Sequence, residues 1–261
     1  MERIAILDGG REVSHLAVRF DAPAAAAPLC LLYLHGFGSD QAGEKADFFR
    51  RSALSAGLAF CSFDFQGHGA SGGTMRELTL TRNLTDVARV HAFLIERGQS
   101  RIALVGSSMG GGTALWYAHA HPEAIVAGLH IAPALDLGCA LLAGVGPQRA
   151  RAWEETGVLA FHNDLVTCDL GWGLIEDLRR YRRDDLLAGY RTPTLLLHGQ
   201  RDDTVPWRDT VDFADRARGR DLELHLFADG DHRLTDRKEQ LWQLMLLFLR
   251  RRGLVPPTLA A

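Results

Sequence analysis

The sequence predicts an α/β fold: one mostly parallel, doubly wound sheet with an N-terminal antiparallel hairpin and a small helical cap inserted between two core strands. Three observations predict it. Apolar runs such as Leu29 to Leu34 and Ala59 to Phe63 are continuous, as suits strands buried on both faces. Segments of helical length alternate with these runs, which favours parallel pairing with helices on both faces of the sheet. The stretch from Ala134 to Tyr190 breaks that rhythm and is too long for an ordinary connection. The expected division is therefore a core from residues 1–133 and 191–261, with residues 134–190 as a cap. At 261 residues, 47% of them hydrophobic, the chain can bury one sizeable core.

The elements follow in order. Residues 3–20 alternate around Asp8-Gly9-Gly10, a turn signal between two short strands. Ala22 to Pro28 is a low-complexity connector. Strand 29–34 is followed by helix 43–56, strand 59–63, helix 80–97, strand 101–105, helix 110–120 and strand 125–131. Within the insertion, helical periodicity is strongest near 147–156 and 172–187. Strand 194–197, helix 207–218, strand 222–227 and helix 236–251 complete the chain.

Composition excludes several functions. The formal net charge is −3 with both signs interspersed, which leaves no basic surface for nucleic acid. The short basic runs at 179–183 and 250–252 read as solvated helix ends. Cys30, Cys61, Cys139 and Cys168 show neither C-x-x-C nor a metal-type spacing, so a reduced setting is expected. The N-terminus has no basic start with a long apolar stretch, and no run approaches a membrane span. A cytoplasmic protein is the expectation.

The chemistry centres on Gly106-Ser107-Ser108-Met109-Gly110, between the strand at 101–105 and a helical stretch. A serine on such a strand-turn-helix corner has its Oγ pushed above the sheet edge, and the frame G-x-S-x-G selects Ser108 over Ser107. A serine hydroxyl needs a base. Of 11 histidines, His35 and His198 end apolar strands, His225 lies inside a strand, and His91, His119 and His121 fall on helices or their ends. His232 follows the last core strand in a polar turn, which places it at the carboxyl edge of the sheet, where Ser108 must emerge. The acid that orients this base is Asp202 or Asp203, just beyond another strand, in the chain order Ser…Asp…His. Asp203 has other uses open to it, capping the next helix or pairing with Arg201.

An oxyanion needs two fixed backbone N–H groups. Met109, next to the nucleophile, supplies one. Phe37, in the glycine loop His35-Gly36-Phe37-Gly38, supplies the other. That loop lacks the G-x-G-x-x-G and G-K-[ST] frames of phosphate-binding loops. In Asp64-Phe65-Gln66-Gly67-His68-Gly69-Ala70-Ser71, His68 and Ser71 read as structural residues that tie loop to loop. Trp153 and Trp172 are candidate walls of an acyl pocket within the cap.

With these residues identified, the chain resembles the α/β-hydrolase superfamily over nearly its whole length. The resemblance rests on His35-Gly36, the Asp64…Gly67-His68-Gly69 loop, the corner at 106–110, His198-Gly199…Asp202…Val205-Pro206 and Asp231-His232. In that family the aspartate of H-G-x-x-D-x-x-V-P is the acid, which implies Asp202. Gly-Ser-Ser-Met-Gly-Gly, Arg201-Asp202-Asp203-Thr204-Val205-Pro206-Trp207 and Gly230-Asp231-His232-Arg233 are similar to the branch of acyl-protein (palmitoyl) thioesterases and acyl-glucuronide esterases and its bacterial relatives. Gly112 departs from that pattern, where a larger residue is expected.

The implied function is a serine hydrolase of small-molecule acyl esters or thioesters, without metal or organic cofactor. A perhydrolase, haloperoxidase or carbon–carbon hydrolase would use the same three residues. A ligand-binding or sensor protein that keeps the fold would not need them. Dehalogenases and epoxide hydrolases need an aspartate nucleophile, which Ser108 argues against.

Overall fold

A computed structural model describes residues 1–163, 166–217 and 221–256. The hairpin forms as expected: β1 (Glu2–Asp8) pairs antiparallel with β2 (Arg11–Asp21). The strands that follow are β3 (Cys30–Leu34), β4 (Ala59–Phe63), β5 (Ile102–Ser107), β6 (Ile125–Ile131), β9 (Thr194–Gly199) and β10 (Leu222–Phe227), the two missing numbers belonging to the insertion described below. They make one sheet in the order β1-β2-β4-β3-β5-β6-β9-β10, parallel from β4 onward. Strand β2 joins it antiparallel to β4.

Alternation along each strand feeds two apolar layers. In β3, Cys30, Leu32 and Leu34 face one layer, and Leu31 and Tyr33 face the other. The first layer is closed by α2 (Leu80–Glu96), α3 (Met109–Ala120) and α8 (Trp207–Arg216). The second is closed by α1 (Glu44–Ser55) and α9 (Lys238–Arg251), through Phe49, Trp242 and Phe248. Thr79 starts α2 by accepting the Arg82 N–H at 3.0 Å, which satisfies one of the free donors of the first turn. The chain leaves β3 for β4 on one side and returns to β5 on the other. The crevice between β3 and β5 is thus a point where strand order reverses, where open α/β sheets bind ligands.

Residues 134–190 hold α4 (Leu137–Val145), α5 (Pro147–Thr156), β7 (Val158–His162), β8 (Thr167–Gly171), α6 (Gly173–Leu178) and α7 (Arg183–Gly189). To the helices expected of the cap the structure adds the antiparallel pair β7–β8, which the sequence reading did not include. Its short strands carry no clean apolar alternation, and its turn has no glycine signal. Leu165 and the end of the helix expected over 207–218 lie outside the described residues. The insertion is fastened to α2 by Asp177, whose carboxylate accepts from the Thr81 N–H at 2.8 Å and the Thr81 hydroxyl at 2.6 Å. No helix of the described residues is long and apolar enough to cross a membrane.

Candidate active site

Strand β5 ends in the corner that the sequence marks. Ser108 has φ 53° and ψ −119°, a conformation an L-residue adopts only when its surroundings enforce it. The glycines of the frame are what allow it. A Cβ at Gly106 would lie 2.6 Å from the Gly111 Cα, and one at Gly110 would collide with the carbonyl oxygens of Leu34 and His35. Among the described residues, the other non-glycine positive φ values belong to Ala132 and Leu234. Ala132 follows β6 and Leu234 lies two residues after His232, so backbone strain gathers along the carboxyl edge of the sheet.

Ser108, His232 and Asp202 come together there. The Ser108 Oγ is 3.0 Å from His232 Nε2, and His232 Nδ1 is 2.7 Å from Asp202 Oδ2. The Asp202 side chain is fully buried. Its Oδ1 accepts the N–H groups of Thr204 (2.8 Å) and Val205 (2.7 Å), while Oδ2 is shared with His198 Nε2 (2.9 Å). Burial pushes this carboxyl up, but the hydrogen bonds from His198 and His232 outweigh it and hold the group well below the usual carboxylate range. Asp203 instead takes, among the described residues, only the hydroxyl of neighbouring Thr204 and is exposed. It neither caps α8 nor pairs with Arg201. The loops bearing Asp202 and His232 are joined by the Arg201 N–H, donated to the Gly230 carbonyl at 2.9 Å. Asp231 Oδ1 accepts the Leu234 N–H and fixes the turn around His232.

The glycine loop after β3 is set by His35. The Phe65 N–H is directed at His35 Nε2 (3.1 Å), so that nitrogen keeps its lone pair and the proton sits on Nδ1, which donates to the Gly36 carbonyl at 2.8 Å. The ring is fully buried, and burial lowers its pKa to about 4 despite the Gly36 bond, in keeping with a neutral imidazole. The Ser39 N–H also donates to the Gly36 carbonyl. In a trans peptide the N–H lies opposite the carbonyl, so these two bonds turn the Phe37 N–H away from His35. Among the described residues neither Phe37 N–H nor Met109 N–H meets an acceptor. Gly36 lies directly against Ser108: a Cβ there would be 3.3 Å from the Ser108 Cβ.

Three further contacts were not read from the sequence. Lys45 at the start of α1 sends its ammonium to the Ser107 Oγ (2.9 Å) and the Arg233 carbonyl (2.7 Å). Ser107 is therefore engaged away from His232. Burial lowers the Lys45 pKa to about 8, with Arg233 acting in the same direction and Asp231 and Asp202 opposing. His198, read as a strand end and as the first residue of the motif that ends at Pro206, holds Asp202 from behind and is itself held by Thr210 through Nδ1 at 2.8 Å. Phe161 on β7 stands edge-on to Phe37 with ring centres 5.4 Å apart, so the insertion touches the glycine loop. No G-x-S-x-G-like frame marks any of the three.

Trp153 and Trp172 are not brought to this cleft. They pack edge-on at 5.3 Å, and the Trp153 indole N–H donates to the Leu170 carbonyl at 3.0 Å. Each ring is spent on holding α5 against the β7–β8 pair. Ser71 ties loops by hydrogen bonds, as expected, whereas the His68 ring hydrogen-bonds only to the Gln66 carbonyl of its own loop and its Nε2 has no hydrogen-bond partner among the described residues. The Ser71 hydroxyl donates to the Asp64 carbonyl and accepts the Ala17 N–H at 2.8 Å, and His68 is buried between His35 and Phe37. Among the described residues no group of three or more His, Cys, Asp or Glu is arranged to hold a metal ion.

Comparison with known proteins places this geometry among hydrolases. A family model described as serine aminopeptidase, S33 matches residues 26–166. The mitochondrial palmitoyl-protein thioesterase ABHD10 of Bos taurus is 28% identical over 212 residues, which cover 80% of this chain and 68% of that protein. A putative hydrolase from Agrobacterium vitis S4 superposes with a TM-score of 0.82 at 28% identity, covering 95% of this chain and 97% of the other. Alpha/beta hydrolase domain-containing protein 10 from mouse gives 0.79 at 25% identity, covering 96% and 99%. Est1E from Butyrivibrio proteoclasticus, solved with ferulic acid, shares the fold at a TM-score of 0.72 and 21% identity, covering 95% and 99%.

Proposed function

Because this chain belongs to the serine aminopeptidase S33 family, we propose that it hydrolyses carboxylic esters or thioesters through an acyl-enzyme on Ser108. One observation carries the reading: His232 bridges the Ser108 hydroxyl and the buried Asp202 carboxylate within hydrogen-bond reach of both. The relatives named as thioesterase support the same reaction class.

In this reading Asp202 holds the His232 proton on Nδ1, which leaves Nε2 free to take the Ser108 proton as Oγ attacks the acyl carbonyl. The tetrahedral oxyanion is bound by the N–H groups of Phe37 and Met109, both already without acceptors. Its collapse expels the alcohol or thiol, protonated by His232. Water, activated by the same imidazole, then releases the acid and restores Ser108.

Residues 134–190 serve as the cap. They are fastened through Asp177 at one side and reach the glycine loop through Phe161 at the other. We assign the protein to the cytoplasm, because its four cysteines are free and suit a reducing compartment; the ABHD10 relative is named as mitochondrial. A fluorophosphonate probe should label wild-type protein and not Ser108→Ala, and p-nitrophenyl acetate and an acetyl thioester should both be turned over. Absence of labelling in correctly folded wild-type protein would overturn the proposal.

A further inference from the structure

The turn that carries His232 is held from outside itself. Neither the N–H nor the carbonyl of His232 is hydrogen-bonded among the described residues. Beyond its bond to Asp202, the ring is therefore placed by whatever fixes the residues on either side. Upstream, the Gly230 carbonyl is held by the Arg201 N–H. Downstream, Leu234 has φ 48° and ψ 30°, a left-handed conformation that a branched L-residue adopts only under constraint, and its side chain is fully buried.

The peptide between Arg233 and Leu234 is gripped at both ends by charged side chains. Its N–H donates to Asp231 Oδ1 at 2.7 Å, and its carbonyl accepts from the Lys45 ammonium at 2.7 Å. In a trans peptide these two groups point in opposite directions, so the plane cannot rotate without breaking both bonds together. Rotation of this plane is the motion that would release the positive φ of Leu234. Asp231 belongs to the same turn and moves with it. Lys45 stands 188 positions away on α1 and ties the turn to a fixed frame. The same ammonium is seated on Ser107 Oγ at 2.9 Å, at the end of the strand that presents the nucleophile, although its grip on the peptide does not depend on that seat. Among the described residues, the hydrogen bond between Ser108 and His232 is the only one that joins residues 106–110 directly to residues 229–234.

We propose, resting on the hydrolase reading above, that Lys45 is a positioning residue for the reaction. Its ammonium holds the strained 233–234 peptide and thereby keeps His232 Nε2 within reach of Ser108 Oγ. Without that donor the peptide rotates, Leu234 relaxes and the residue before the peptide, His232, loses its alignment. Acylation and deacylation both pass through His232, so both slow together. The loss therefore falls on kcat and leaves KM little changed.

The test uses steady-state hydrolysis of p-nitrophenyl acetate, a neutral ester that gives a cation nothing to recognise. Lys45→Met keeps an unbranched stem without the donor and should lower kcat by about 10- to 100-fold, with KM within about threefold of wild type. Asp231→Ala frees the other end of the same peptide and should give a similar loss. The double variant should fall no more than about threefold below the worse single one, because both act on one peptide. In a second measurement on Lys45→Ala, propylammonium chloride supplies the atoms removed and should raise kcat by at least about fivefold at pH 7. Sodium chloride at the same ionic strength should not. A kcat for Lys45→Met within threefold of wild type, a change confined to KM, multiplied losses in the double variant, or no rescue by propylammonium would each overturn the proposal. Fluorophosphonate labelling of wild-type Ser108 reports separately on the hydrolase reading, so labelled, active wild type beside a fully active Lys45→Met rejects only the role of Lys45.

Discussion

Replacing Asp202 by Asn should leave a folded protein that hardly turns over, and the orientation of the new amide follows from the structure. Oδ1 of Asp202 accepts two backbone N–H groups, from Thr204 and Val205, and neither can turn away. The single amide oxygen of Asn must therefore take the Oδ1 position. Its NH₂ is then left facing His232 Nδ1 and His198 Nε2. Both imidazoles can answer by offering a lone pair, at the cost of the longer His198 Nε2 contact to the Val205 carbonyl at 3.3 Å. His232 then carries its proton on Nε2, donates to Ser108 and can no longer accept from it. The loss in kcat should be about 10³–10⁴, or roughly 4–5.5 kcal/mol of transition-state stabilisation. Steady-state hydrolysis of p-nitrophenyl acetate measures it, and the fluorophosphonate labelling rate should fall in parallel. Exposed Asp203, bound only to Thr204, should tolerate Asn with less than about a threefold change. A second readout is acid stability. Because Asp202 sits below its unfolded value, its contribution is complete above about pH 4 and is lost as pH falls toward the folded value. Asp202→Asn should flatten the wild-type loss of stability in that acid range. Retained turnover in Asp202→Asn with lost turnover in Asp203→Asn would refute the reasoning.

Other outcomes follow from neighbouring features. Ser108→Ala should abolish turnover, whereas Ser107→Ala should keep most of it, since the Ser107 hydroxyl only meets Lys45; mass spectrometry of the acyl adduct distinguishes the two serines. Lys45 is held down to about 8, so the folded protein releases this proton before the unfolded chain does, and stability should rise with pH from about 8 to the ordinary lysine range. Chemical denaturation should show that rise in wild type and its absence in Lys45→Met. Gly112→Ala should destabilise by about 1–3 kcal/mol in the same assay, because the added Cβ meets the Ala134 carbonyl oxygen.

Strands and helices were legible because their signals are local: an apolar run for β3, β4 and β5, and glycine frames at the sheet edge. Of the five short motifs behind the resemblance, the three nearest the N-terminus fall within the family model matched over residues 26–166. The pair β7–β8 was not legible, because strands of five residues in an insertion are stabilised by what they rest on more than by their own pattern. Lys45 and His198 were missed for a related reason. Nothing near Lys45 in sequence reports that an ammonium will reach Ser107, 62 residues away. The two tryptophans were misjudged because size and apolarity cannot say which neighbour a ring will pack against, and here each packs against the other. Gly112 was an unexplained departure in the sequence, and the close passage of the Ala134 carbonyl accounts for it.

The three residues that meet at the sheet edge enter the chain far apart: Ser108 and His232 are separated by 124 positions. During synthesis the corner at Ser108 emerges long before its base, which arrives with the last strand and the ordering of the final helix. A partly made chain therefore displays an ordinary, unreactive serine alcohol. On the proposed mechanism, hydrolytic competence is acquired only at the end of folding, and a nascent or C-terminally damaged molecule would not release acids.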